Sequence, residues 1–197
     1  MSTAPKQTLT PQQYLVRERA AEIRSEYYRG EMFAMTGASR RHNLIAVNVV
    51  SRMHSQFDGR PCEVYQSDMR VKVDQCGLYT YPDVVATCAG PKFEDEHVDT
   101  LLNPQVIVEV LSKSTEAYDR GTKFEKYRQL DSLADYVLIS QKSVLVERFT
   151  RQSDSQWLLW SSSELSDTLE IGSINCRVKI SDIYARVNFD EDEGSSS

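Results

Sequence analysis

Two carboxylates stand where carboxylates are costly. Glu109 interrupts the run Val106-Ile107-Val108-Glu109-Val110-Leu111, and Asp83 follows Pro82 at the head of Val84-Val85-Ala86. Both runs are short and rich in β-branched residues, which suits strands buried on both faces. A bare carboxylate in such a strand takes up a proton or destabilises the fold, so Glu109 requires a cation, a metal or a hydrogen-bonding partner. If the two strands are neighbours the acids converge, and a hard divalent cation with oxygen ligands relieves their repulsion most simply. Lys123 belongs to the helix that follows. Helical side chains lean toward the N-terminus, so a lysine early in that helix can reach back to the end of the Glu109 strand.

Two acids, a lysine and a divalent metal suit phosphodiester hydrolysis. The metal polarises the phosphoryl oxygen and acidifies a water, while the ammonium orients that water or offsets charge on the phosphorane. The competing reading is structural: Asp83 caps the turn after Pro82 and Glu109 forms a buried pair with an arginine. Pattern alone does not choose between them. A third chemistry, glycoside hydrolysis by a carboxylate pair, leaves the lysine without a role.

The elements that must position these residues are read in chain order. Thr10-Pro11-Gln12-Gln13 has a capping residue, a proline at the first helical position and a capping-box partner, so a helix is expected to about Arg24. Glu26 to Met35 reads as a hairpin about Arg29-Gly30. Arg41 to Phe57 has apolar residues at helical spacing. Glu63–Val73 and Leu78–Cys88 read as a second hairpin, Arg120–Leu130 as a helix, and Ala134–Ser140, Ser143–Thr150 and Ser155–Trp160 as strands. Val178–Val187 holds a last short helix. The order implies an α/β (α+β) chain with a mixed central sheet flanked by helices, and a crossover joins the Glu109 strand to the Ala134 strand. An N-terminal hairpin and a C-terminal peripheral β extension complete the scheme. Residues 1–188 are expected to form one domain, and 189–197 a disordered acidic tail.

Composition narrows the classes. The chain has 197 residues and a net charge of −6, and four of the negatives are Asp190-Glu191-Asp192-Glu193. That charge argues against nucleic-acid binding through an overall field, although a near-neutral body leaves room for local basic patches. Arg40, Arg41, Arg52, Lys113, Arg120, Lys126 and Arg128 are candidates for one, or are simply a solvated face. No apolar run approaches the roughly 20 residues that span a bilayer. The N-terminus lacks the regions of a signal peptide, so the expected location is the cytoplasm. Cys62, Cys76, Cys88 and Cys176 form no CxxC pair and are expected to be reduced and packed.

The run YPDVV at 81–85, the stretch VIVEVLSKSTEAYDRGTKFEKYRQL at 106–130 and ADYVLIS at 134–140 resemble the Uma-two family of endonucleases, abundant in cyanobacteria. That family lies within the PD-(D/E)xK restriction-endonuclease-like superfamily. The likeness extends upstream to SEYYRGEMFAM, RHNLIAVNVV and VYQSDMRV, and covers roughly Pro11 to Phe149. The resemblance implies a restriction-endonuclease-like fold and an endonuclease that uses Mg²⁺ or Mn²⁺ on DNA.

By the same resemblance, Asp83 is the acid of the PD half-motif and Glu109 is the second acid; in the leading hypothesis the two hold the metal with the help of the Val110 carbonyl. The usual lysine stands two residues after the Glu, where this chain has Leu111. Lys123 matches a lysine that the family carries on the following helix, with Lys126 as the second choice. Glu26, Gly30 and Glu31 match the family's hairpin. Glu31 is then a third carboxylate or positions the water, or is an exposed hairpin acid. His42 contacts substrate phosphate, or caps and packs. Tyr127, one turn after Lys123, bonds within the site or packs. A homodimer is expected by analogy with the two-fold symmetry of duplex substrates. Leu111 and the acidic charge motivate the alternative, a nuclease fold that has lost its chemistry and serves as a nucleic-acid-binding or assembly module.

Overall fold

Hydrogen-bond pairing gathers the strands into a six-stranded mixed sheet, a five-stranded sheet and a separate two-stranded hairpin. The structure is a computed structural model that describes residues 8–153 and 156–190. In chain order the elements are α1 (Pro11–Ala20), β1 (Ser25–Tyr28), β2 (Glu31–Ala34), α2 (Arg40–Gln56), β3 (Glu63–Gln66), β4 (Arg70–Val73), β5 (Leu78–Thr80), β6 (Val84–Thr87) and β7 (Thr100–Leu101). They continue with β8 (Val106–Leu111), α3 (Glu116–Tyr118), a π turn (Asp119–Lys123), α4 (Phe124–Tyr127), β9 (Asp135–Ser140), β10 (Val146–Arg151), β11 (Trp157–Ser162), β12 (Thr168–Ile171), β13 (Cys176–Lys179) and α5 (Ile180–Ile183). The central sheet runs β11-β10-β9-β8-β6-β3, and the second sheet runs β2-β1-β5-β4-β7.

The expected mixed sheet flanked by helices is present, and its parallel pair is β8 with β9, joined by the helical crossover. Alternation along β8 separates two cores. Val106, Val108 and Val110 pack with Ile45, Val49 and Met53 of α2 and with the β12–β13 hairpin. Ile107 and Leu111 pack with Tyr127, Leu130 and Leu133 and with Val71, Val73 and Leu78 of the second sheet. Glu109 shares the parity of Ile107 and Leu111, so its carboxylate enters the second core, on the side of the crossover helix.

Several local expectations match the geometry. Thr10 and Gln13 form a reciprocal capping box, with bonds of 3.2 and 2.9 Å. The first hairpin turns at Arg29 and Gly30, whose φ values of 47° and 95° are those of a primed turn matched to strand twist. Gly30 has a second constraint, because a Cβ there would stand 2.7 Å from the Thr8 Cβ.

Other expectations are corrected. The segments read as one hairpin from Glu63 to Cys88 divide between two sheets: β4 pairs with β5, whereas β3 pairs with β6. The β3–β6 pairing brings Cys62 opposite Cys88, with Cα atoms 3.9 Å apart, and these two form a disulfide instead of remaining reduced. Only Cys76 and Cys176 are free and buried among the described residues. The β12–β13 hairpin was not foreseen, because Leu169, Ile171, Cys176 and Val178 alternate over only four residues per strand. Of the acidic tail, 191–197 lie outside the described residues, while Phe189 stands 5.6 Å from the Tyr184 ring.

A buried polar network ties the first hairpin to the rest. Glu18 of α1 accepts from the Ser25 N–H and the Tyr81 hydroxyl, each at 2.9 Å. Arg70 donates to Tyr81 and Thr100 and pairs with Asp99 at 2.8 Å. The network therefore fixes Ser25, beside Glu26, and Tyr81, two residues before Asp83. Arg70 is 2% exposed. We expect Arg70→Met to lower stability by about 2 kcal/mol, because it removes one charge-assisted partner from Asp99, which keeps Arg19, and one donor each from Tyr81 and Thr100. Urea denaturation would measure the loss, and an unchanged midpoint would contradict it.

Candidate active site

The antiparallel register of β6 with β8 pairs Val84 with Val108 and Val85 with Ile107. Continued by one residue, it sets Asp83 opposite Glu109, and directly opposed residues project to one face. Convergence of the two acids is thus a property of the strand pairing. Asp83 Oδ2 accepts from the Val110 N–H at 2.7 Å and faces His42 Nε2 at 3.1 Å. Glu109 Oε1 accepts from Lys123 Nζ and from the Tyr127 hydroxyl, both at 2.9 Å. These bonds fall on one oxygen of each carboxylate.

The crossover helix supplies the cation. Its π turn contains Asp119 and Lys123, both buried, and α4 then carries Tyr127 inward. π turns widen the helical repeat and are frequent at functional sites. Here residues spaced by four, Asp119, Lys123 and Tyr127, all face the sheet. Lys123 Nζ also lies 3.5 Å from Glu26 Oε1 and 3.7 Å from Asp119 Oδ1. Glu26 accepts in turn from Thr80, whose hydroxyl is 3.3 Å from that of Tyr127.

One ammonium therefore faces three carboxylates, with Asp83 a fourth behind Glu109. Burial pushes the Glu109 carboxyl up to about 8; Lys123 opposes that rise, and Asp83 and Asp119 reinforce it. Burial also raises Asp119, against the pull of Lys123. For Lys123 burial acts downward, but Glu109, Glu26 and Asp119 override it and hold the ammonium charged. Burial and the neighbouring Glu109 raise Tyr127 well above its ordinary value, so it stays a donor. The result is a net-negative pocket that retains a proton near neutrality.

The residues singled out from sequence are thus mostly brought together. Asp83, Glu109, Lys123 and Tyr127 meet, and His42 reaches Asp83 while Ser39 caps the helix. Val110 contributes its N–H to Asp83. From the hairpin, the carboxylate that reaches Lys123 is Glu26; Glu31 lies at the turn end, opposite Tyr28. Lys126 contacts the Tyr28 ring instead of the acids. Sequence reasoning missed Asp119, although its spacing of four from Lys123 was a usable signal. Of the basic residues considered as a patch, Arg52 pairs with Asp182, and Arg120 with Glu116 and Glu147.

Among the described residues, no three His, Cys, Asp or Glu side chains form a ready-made metal cluster. The pair of carboxylates nevertheless suits Mg²⁺ or Mn²⁺. Magnesium retains waters and binds through one or two carboxylates plus substrate phosphate.

Comparison with known proteins gives the family and the fold. A family model described as Uma2, "Putative restriction endonuclease", matches residues 11–175. The Synechocystis protein slr1290 is 36% identical over 95% of this chain and 97% of its own. A second Synechocystis protein, sll1609, is 37% identical over 81% of this chain and 90% of its own. Among solved structures, one titled as a putative nuclease belonging to DUF820 from Anabaena variabilis superposes with a TM-score of 0.69 at 17% identity. It covers 83% of this chain and 91% of that one, a likeness of fold. No helix among the described residues is long and apolar enough to cross a membrane.

Proposed function

This chain belongs to the Uma2 family of restriction-endonuclease relatives, and from that premise we propose that it is a divalent-metal-dependent endonuclease that hydrolyses phosphodiester bonds of DNA. The observation that carries the reading is Lys123 Nζ at 2.9 Å from Glu109 Oε1. Leu111 occupies the usual place of the lysine and is buried in apolar core, and the helix after it restores an ammonium at the acid.

Asp83 and Glu109 would hold Mg²⁺ or Mn²⁺, joined by the carbonyl of Val110. In a strand the N–H and C=O of one residue point the same way, so the Val110 carbonyl shares the side on which its N–H meets Asp83. The metal, when bound, supplies polarisation of the phosphoryl group and an acidified water. The chain's own groups do the rest. Lys123 offsets charge that develops on the phosphorane or orients the attacking water, Tyr127 fixes the Glu109 carboxylate, and His42 with the Val110 N–H fixes Asp83. A dimer would match a two-fold duplex site, and sedimentation would test it.

The test is cleavage of supercoiled plasmid and circular single-stranded DNA with Mg²⁺ or Mn²⁺ by the purified chain and by Asp83→Ala, Glu109→Ala and Lys123→Ala. Cleavage by the parent alone is expected. Equal activity in all four would remove the assignment.

The raised Glu109 carboxyl adds a pH dependence. A proton must leave Glu109 before metal binds, so Mn²⁺ affinity is expected to rise about tenfold per pH unit below about 8 and then level off. Calorimetry in buffers of different ionisation enthalpy would show the released proton. Affinity independent of pH between 6.5 and about 8 would refute the charge balance described above.

A further inference from the structure

Beside the acidic cluster lies a slot of about 260 Å³ lined by Glu26, Tyr28, Phe33, Leu78, Tyr118 and Lys126. It is connected to the candidate metal site through Glu26, which lines it and stands 3.5 Å from Lys123, the partner of Glu109. Three of the six lining residues are aromatic. Phe33 projects from the edge strand β2 and is 50% exposed, an apolar ring left half in water next to a charged site. Besides the Glu26 carboxylate, two cations stand at the slot, Lys126 in the lining and Arg29 beside Tyr28. Lys126 Nζ lies 3.6 Å from the Tyr28 ring centroid and 3.3 Å from the Tyr118 hydroxyl, and Arg29 stands 5.2 Å from the same Tyr28 ring.

Aromatic faces with adjacent cations are the means by which proteins hold unpaired nucleotides: the base stacks on a ring and the backbone phosphate meets the cation. The slot is smaller than the ~300 Å³ lower bound of drug-sized pockets and so suits one planar base. Both duplexes and single strands are drawn by cations, but only an unpaired base offers its face to an exposed ring. Here the charge is −6, and the basic residues Arg52 and Arg120 are paired with acids.

We propose that the slot between the β1–β2 hairpin and the crossover helix binds one unpaired base next to the scissile phosphate, so that the substrate is single-stranded or locally melted DNA. This rests on the nuclease reading, in which Asp83 and Glu109 hold the metal. The base stacks on Phe33, while Lys126 and Arg29 meet the flanking phosphates.

Fluorescence anisotropy with a short fluorescein-labelled oligonucleotide and its duplex tests the assignment, in Ca²⁺ so that binding is read without cleavage. The single strand should bind about tenfold or more tighter than the duplex, and Phe33→Ala should weaken it by about tenfold while leaving duplex binding unchanged. Phe33 is half exposed, so the variant should melt with the parent. Equal binding of strand and duplex, no binding of either, or an unaffected Phe33→Ala would overturn the inference, and tighter binding of single-stranded RNA would overturn the choice of DNA. Failure of the nuclease reading is distinct: a protein that holds single strands through Phe33 yet neither binds metal nor cuts keeps the slot and loses the chemistry.

Discussion

Lys123→Met is expected to lower the rate of metal-dependent cleavage by about 10²- to 10³-fold, as when a preorganised charge is removed from a transition state. The same change should lower stability without metal by about 3–5 kcal/mol, because it leaves the buried Glu109 and Asp119 and the half-buried Glu26 together with no cation between them. Lys123 is only 6% exposed, so solvent does little to screen that repulsion. Divalent metal should restore part of the loss, since a cation at the acids replaces charge that the ammonium supplied and binds only the folded chain. The combination separates a working lysine from a structural one. Cleavage rates and urea midpoints with and without Mg²⁺ give both readouts. A variant that is destabilised, cuts normally and gains nothing from metal would show Lys123 to be a packing counter-ion only.

Glu109→Gln should act in the opposite sense on the apo protein. The amide keeps the shape and can still accept from Tyr127, but it removes the acid whose carboxyl burial holds up to about 8. The sign follows from proton linkage. Below the ordinary glutamate range both folded and unfolded chains carry the proton. Between that range and about 8 the unfolded chain releases it while the folded chain retains it, so stability falls as pH rises, and above about 8 the loss is complete. Glu109→Gln should abolish that decline, which urea midpoints across the interval would reveal. Cleavage should fall by about a thousandfold, equivalent to about 4 kcal/mol of transition-state stabilisation lost with a metal ligand. An unaltered pH profile of stability would mean that Glu109 is ionised throughout.

The contrast between what the sequence disclosed and what it hid has physical reasons. Glu109 and Asp83 were conspicuous because a carboxylate inside a short β-branched run violates the pattern that built the strand, and the turn at Arg29-Gly30 and the Thr10 cap are equally local signals. Pairing is not local. Nothing in Glu63–Gln66 states that its partner is β6, and so the Cys62–Cys88 disulfide stayed hidden until that register was known. Glu26 and Glu31 are five residues apart on one hairpin, and the sheet order distinguishes them: Glu26 is on the inner strand β1 and meets Lys123, whereas Glu31 starts the edge strand β2. Asp119 was legible only as a neighbour of Lys123, since a spacing of four puts both on one helix face; that this acid is buried beside the ammonium is a property of the tertiary packing. The β12–β13 hairpin escaped because four-residue strands offer too few alternations to separate from loop.

The central claim is that Asp83 and Glu109 together hold a divalent cation. Its most direct test is calorimetric titration of Mn²⁺ into the parent chain and into Asp83→Ala, above the pH at which Glu109 gives up its proton, with thermal melting to show that the variant is folded. One binding site in the parent and none in Asp83→Ala is the predicted result. Equal binding by both chains, or no binding by the parent at millimolar metal, would contradict it.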